Sequence, residues 1–177
     1  SLDGLEWTWR DSGSKEWLKG ASHGGDRFVV VGAKGTILTS DDGVGWKKRA
    51  SGTTEGLTAT AYGDGRFIAV GSNGTLLGSA NGIRWSRFDS GTSSWLLSAA
   101  YGREQFVVVG SDGSMIGSLD GRAWFPRSPE ITSTLNGVTY GDRRFVVAGT
   151  GGLVLLSGLL PPEPKPPTLI VHFLDAD

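Results

Sequence analysis

The sequence predicts an all-β fold, a β-propeller built from four-stranded antiparallel blades, four in number. Three observations predict it. A seven-residue motif recurs every 39 residues, as Ser40-Asp-Asp42-Gly43-Val-Gly-Trp46, Ser79-Ala-Asn81-Gly82-Ile-Arg-Trp85 and Ser118-Leu-Asp120-Gly121-Arg-Ala-Trp124, and the chain opens on it at Ser1-Leu-Asp3-Gly4-Leu-Glu-Trp7. Phe28, Phe67, Phe106 and Phe145 keep the same 39-residue spacing with no insertion. Between these landmarks lie short apolar runs bounded by Gly, Asn and Asp, and none sustains a 3.6-residue period. A repeat near 40 residues of this kind marks radially arranged sheets.

Each unit has the same parts in the same order. An apolar and small-residue run comes first (residues 18–23, 57–62, 96–101 and 135–140). A tight polar turn follows, then a β-branched run beginning at each of the four Phe residues and ending at Gly32, Gly71, Gly110 or Gly149. Uninterrupted Val-Val-Val stretches in this second run predict strands covered on both faces. A short turn (Lys34-Gly35, Asn73-Gly74, Asp112-Gly113, Gly151-Gly152) leads to a third run, which ends at Ser40, Ser79, Ser118 or Ser157. The Ser-x-Asp/Asn-Gly-x-x-Trp turn then delivers its Trp into a fourth. Short strands joined by such turns make an antiparallel meander.

Strand bookkeeping leaves one mismatch. The first fourth-type strand, residues 7–11, precedes everything else, and the last unit has none of its own. The expectation is a ring closed within one chain, the N-terminal strand pairing with residues 153–157 and capping their edge. A monomer is favoured on that basis; the rival is an incomplete ring that closes through a second copy, giving a swapped dimer. The propeller thus spans residues 1–160. Residues 161–167 form a proline-rich spacer, and residues 168–177 an extra strand or the start of another domain.

Net charge is −1, so no bulk field draws nucleic acid or an acidic membrane surface. The chain has no Cys, which removes disulfides and thiolate metal sites from consideration. No run of about 18 apolar residues is present, so no membrane-inserting helix is expected. The 29 Gly residues fall largely at repeated turn positions, which makes them turn chemistry and not low complexity.

The Ser-x-Asp-Gly-x-x-Trp turn, and its place between the third and fourth strands, resembles the Asp-box of bacterial neuraminidase-type repeats. The stretch Gly65-Arg-Phe-Ile-Ala-Val-Gly-Ser-Asn-Gly-Thr-Leu-Leu and the piece Gly110-Ser-Asp-Gly-Ser also look like secreted bacterial propellers of that group, and the photosystem II stability and assembly factor family shares the style. The resemblance covers residues 1–160 and implies a bacterial protein that is extracellular or periplasmic. It speaks for fold more than activity, because such repeats occur in unrelated proteins. The motif also has its own physics. Asp3, Asp42, Asn81 and Asp120 can accept backbone N–H bonds inside their turns. Ser40, Ser79 and Ser118 add a local side-chain bond, and Gly43, Gly82 and Gly121 allow the turn. Trp7, Trp46, Trp85 and Trp124 bury a ring between sheets and keep one N–H to satisfy. These residues are read as framework.

A neuraminidase, by that resemblance, needs a nucleophilic Tyr with a Glu partner, an acid Asp and three Arg. Tyr62, Tyr101 and Tyr140 share one repeat position with His23, which points to packing. Glu16 and Glu55 are equivalent loop residues that could face each other as a glycosidase pair, but solvated loop charges are the plainer reading. No catalytic residue, cofactor or metal is therefore expected; His23 and His172 lie in different segments. Arg10, Arg49 and Arg127 each follow a motif Trp by three residues. Gathered on one rim they would grip an anionic group; left on outer strands, their stems would only cover apolar edges.

The position before the first strand varies around the ring as Trp17, Gly56, Trp95 and Thr134. Exposed indole rings at a channel mouth suit sugars or protein side chains, although they could also plug the axis. Lys34, Asn73 and Asp112 share that face. The expected function is a non-catalytic module binding a protein or glycan at Trp17 and Trp95, with these three turn residues and the Arg set around them. Two alternatives remain, an assembly factor using the Arg rim on an acidic partner and a sialidase-like remnant or subunit.

Overall fold

Every 39-residue unit folds into one antiparallel sheet, and the sheets follow one another in chain order. The computed structural model describes residues 4–127 and 130–158. Asp3, the predicted spacer at 161–167 and the predicted strand in 168–177 lie outside the described residues. The first blade comprises β1 (Leu18–Gly24), β2 (Arg27–Gly32), β3 (Thr36–Ser40) and β4 (Lys47–Arg49). The second comprises β5 (Leu57–Gly63), β6 (Arg66–Gly71), β7 (Leu76–Ser79) and β8 (Ser86–Arg87). The third comprises β9 (Leu96–Gly102), β10 (Gln105–Gly110), β11 (Met115–Ser118) and β12 (Phe125–Pro126). The fourth has three strands, β13 (Leu135–Gly141), β14 (Arg144–Gly149) and β15 (Val154–Leu156). All neighbouring strands within a blade pair antiparallel in sequence order. Among the described residues the only helical pieces are two single 3-10 turns, Ala33–Gly35 and Thr150–Gly152.

Side chains alternate across each second strand, so one set meets the preceding blade and the other the following one. Val29 and Val31 of blade 1 pack against Phe67, Ala69 and Leu77 of blade 2. Ile68 and Val70 of blade 2 meet Phe106, Val108 and Ile116 of blade 3. Val107 and Val109 then meet Phe145 and Val147 of blade 4. Tyr62, Tyr101 and Tyr140 stack on the Phe of their own blade, with ring centroids 4.6, 4.7 and 4.8 Å apart. Each also presses into a glycine of the preceding blade. A Cβ at Gly24, Gly63 or Gly102 would lie 2.0, 1.9 or 2.1 Å from the Tyr ring, so only Gly fits. Burial in this socket, with Asp64 and Glu104 nearby, pushes the Tyr101 phenol above its usual value. The inner strands are stitched together as well: Ser22 Oγ lies 3.0 Å from Thr60 Oγ1, and Val138 N donates to Ser98 Oγ at 3.1 Å.

The motif turns share one geometry. Asp42 Oδ1 accepts from Val44 N and Gly45 N at 2.8 and 2.9 Å, and Ser40 Oγ accepts from Gly43 N at 2.9 Å. Asn81 and Asp120 repeat these bonds with residues 83–84 and 122–123. Donation by its own turn holds the Asp42 carboxyl down at about 2 and lowers that of Asp120. Trp85 Nε1 closes its turn on Gly82 O, and Trp7 Nε1 does the same on Gly4 O, both at 2.9 Å.

The expected closure within one chain does not form. Residues 6–17 contain no strand, and among the described residues the fourth sheet is three-stranded, with no strand paired to the outer edge of β15. Sheet packing runs β1–β5–β9–β13, with no comparable packing of β13 on β1. The four blades therefore form an open arc. Short side-chain turns at Asp11–Gly13, Ser12–Ser14 and Ser14–Glu16 shape the N-terminal segment, and Glu16 ties it to Lys34 of blade 1. Arg10 and Ser12 consequently lie beside Val30, Leu38 and Trp46 of blade 1, not beside β15.

Candidate binding face

The face carrying the second turns of the blades is held by a backbone bond repeated four times. Trp17 O, Gly56 O, Trp95 O and Thr134 O accept from Ala33 N, Ser72 N, Ser111 N and Thr150 N at 2.8–2.9 Å. The main chain does the structural work at this position, which leaves its side chain free to vary and to project. Trp17 is 79% exposed and Trp95 54% exposed. They do not plug an axis; they stand on blades 1 and 3, with Gly56 at the equivalent place on the blade between them.

Lys34, Asn73 and Asp112 take left-handed backbone at φ 52°, 51° and 55°. Each turn is latched to the loop before its own blade. Lys34 Nζ pairs with Glu16 Oε1 at 3.1 Å, Ser72 Oγ donates to Glu55 Oε2 at 2.8 Å, and Ser94 Oγ donates to Asp112 Oδ2 at 3.0 Å. Hydrogen bonds from Ser72 and Asn73, with the nearby Arg87 charge, hold the Glu55 carboxyl below its usual value. Glu16 and Glu55 thus serve separate turns in separate blades.

The predicted Arg rim is corrected by the structure. Arg49 Nε donates to Thr39 Oγ1 of its own blade at 2.8 Å. Arg127 lies across Gly117 and lines a cleft between blades 3 and 4, whereas Arg10 lies against blade 1. The physical reason lies in the slot between them: Phe88 holds this position on blade 2, so Arg49 and Arg127 stand two blades apart.

A different cationic group does converge. A cleft of about 650 Å³ opens between blades 1 and 2, lined by Lys34, Lys48, Arg49 and Arg87, with Glu55 its one carboxylate and Ser51 and Thr53 among its polar walls. A smaller cleft of about 380 Å³, holding Asn73, Asp89 and Ser90, continues from Arg87. Sequence reasoning missed Lys48 and Arg87. Their signal was available: both sit two residues after a motif Trp, one register step from the Arg positions that were singled out. Lys34 joins this cleft to the Trp17 side of the face. The assembled surface offers two exposed indoles and four cations, a combination that can hold an extended anionic chain bearing apolar side chains. Among the described residues no group of three or more His, Asp or Glu side chains could hold a metal ion.

No family model matches the chain, and no curated protein matches it. Solved structures do. The computationally designed Ika4 protein is 17% identical, with a TM-score of 0.68 over 87% of this chain and 98% of that one. YCF48 from Cyanidioschyzon merolae is 19% identical, with a TM-score of 0.63 over 80% of this chain and 50% of that one. A structure of YCF48 bound to D1 peptide is 18% identical, with a TM-score of 0.65 over 88% of this chain and 54% of that one. These likenesses establish the β-propeller architecture. The chain spans about half the length of the YCF48 chains.

Proposed function

We propose that this chain is a non-catalytic protein-binding module that takes an extended, acidic peptide segment across the face bearing Trp17, Trp95 and the Lys34–Lys48–Arg87 cleft. One observation carries the reading: Trp17 and Trp95 stand exposed on the face where the cations of the first two blades converge. Binding of a D1 peptide by the structurally similar YCF48 supports a peptide ligand. The motif turns are framework here, as they are in Asp-box repeats. Indole faces would cover apolar side chains of the peptide, while the cations would meet its carboxylates and give a salt-dependent on-rate.

The test is a peptide array of graded acidity with a glycan array beside it, followed by titration of the best peptide. Trp95→Ala is expected to weaken binding at least tenfold, and Lys48→Glu with Arg87→Glu to abolish its salt dependence. Unchanged affinity on loss of Trp95 would remove the indole from the site. Salt-independent binding to neutral glycans alone would remove the peptide.

A further inference from the structure

The two ends of the arc are halves of one interface that the chain has already built three times. On blade 4 the outward face carries Val146, Ala148, Val154 and Leu156, the last two 67% and 53% exposed. Gly141 occupies the place of the Tyr sockets Gly24, Gly63 and Gly102, yet no described residue lies within 4 Å of a Cβ built on it. On blade 1 the outward face carries Phe28, exposed where Phe67 and Phe106 are sealed, and His23 stacked on it at 4.4 Å in the Tyr position. His23 is the knob for which Gly141 is the empty socket.

The charged contacts repeat in the same sense. Arg27 donates to Asn81 O in the motif turn of the next blade, and its Nε to Asp41 of its own. Arg66 lies over Gly121 of the next blade in turn. Arg144 holds this place on blade 4. Its Nε is buried with no hydrogen-bond partner among the described residues, Gly158 standing where Asp41 does in blade 1. The motif turn that Arg144 would reach, were blade 1 to follow blade 4, is that of Asp42–Gly43.

The N-terminal segment supplies the remaining piece. Register equates Arg10 with Arg49, so it belongs on a strand that packs toward the following blade, and it does lie against Val30 and Leu38 of blade 1. The segment thus keeps the place of a preceding blade's outer strand, although that blade is absent from its side. Trp7 and Trp9 on it are 85% and 82% exposed. Blade 4 has the matching vacancy. The cleft between blades 3 and 4, about 340 Å³, reaches β15, with Phe145, Val147, Leu155 and Leu156 on its blade 4 wall and Arg127 on the other. In blade 3 the motif Trp124 sits 6.1 Å from Phe106; Trp7 is the residue that repeat register brings to Phe145.

We propose that two copies of this chain close one eight-bladed ring, blade 4 of each packing on blade 1 of the other, with the N-terminal segment of each adding as the fourth strand to the other's β15. A head-to-tail contact closes when the second copy's contact returns to the first. Register then opposes Thr8 to Leu156, Trp9 to Leu155 and Arg10 to Val154.

Sedimentation of the full chain at about 10 µM is expected to give twice the chain mass. The chain has no Cys, so engineered pairs report cleanly. Mixing Thr8→Cys chains with Leu156→Cys chains is expected to give a disulfide-linked pair carrying one of each. Gly141→Trp is expected to raise the dimer dissociation constant at least tenfold with unchanged far-UV circular dichroism; Trp7→Ala should do the same if the socket variant fails to fold. A monomer overturns the proposal, whether or not removing residues 159–177 makes it associate. Open-ended polymers overturn it too, as does an internal disulfide in the Thr8→Cys/Leu156→Cys double variant.

Discussion

Phe106 and Phe28 occupy the same place in their blades, yet Phe106 is sealed between two sheets while Phe28 is 38% exposed. The same contrast extends along the second strands. In β6 and β10 every residue after the first is buried, whereas β2 and β14 mix buried and open positions. Composition does not explain this, because all four strands carry the same β-branched repertoire. Position in the arc does: inner blades have a neighbour on each side and terminal blades have one. Burial here is a property of the stack more than of the unit, as in other repeat architectures.

Two pairs of substitutions would sharpen that contrast, read by urea unfolding at nanomolar chain, where association does not contribute. Phe67→Ala removes a sealed ring and should cost ~3–5 kcal/mol. Phe28→Ala, at the open end, should cost about 1–2 kcal/mol because much of its surface already meets water. Equal costs would mean that the open face is covered in solution by something other than a second copy. The next effect is steric. Gly63→Ala drives a methyl into the Tyr101 ring and should cost ~1–3 kcal/mol. Gly141→Ala meets nothing, and its midpoint should stay within about 0.5 kcal/mol of the parent.

The blades were legible in the sequence because turn chemistry and period agree. The strand beginning near each Phe, the glycine that ends it and the Ser-x-Asp/Asn-Gly turn all lie where the repeat places them. Closure was not legible. The pattern requires the segment around Trp7 to find a third-type strand, and Leu153–Ser157 is the one without a partner. Nothing in the pattern says whether that strand belongs to the same molecule. The angle between blades is set by Phe, Val and Tyr volumes summed over an interface, which a period cannot encode. The site was half legible. Trp17 and Trp95 stood out because they are large exposed-type rings at a repeat position that varies while the framework positions do not, whereas Lys48 and Arg87 looked like ordinary charges on a wet strand. Arg10, Arg49 and Arg127 misled for the converse reason, since Phe88 fills the intervening slot and leaves Arg49 and Arg127 two blades apart.

The smallest effect compares turns that differ in one atom pair. Asp42 and Asp120 hold their turns as carboxylates, and Asn81 holds the same turn as an amide. Both carboxyls titrate below the ordinary value of 3.8 in the folded chain, Asp42 at about 2. A depressed folded value means that the unfolded chain binds the proton first as pH falls. The stabilisation is therefore present above about pH 4 and is lost as the pH drops from there towards 2. These carboxylates are solvent-exposed, which keeps the effect small. Hydrogen-exchange protection at Val44 and Gly45, and at Arg122 and Ala123, should fall through that window, while Ile83 and Arg84 keep theirs. Asp42→Asn should transfer the acid-resistant behaviour to the first blade. Loss of protection at all three turns together would instead assign the acid response to unfolding of the whole arc, since the Asn81 turn has no proton to gain.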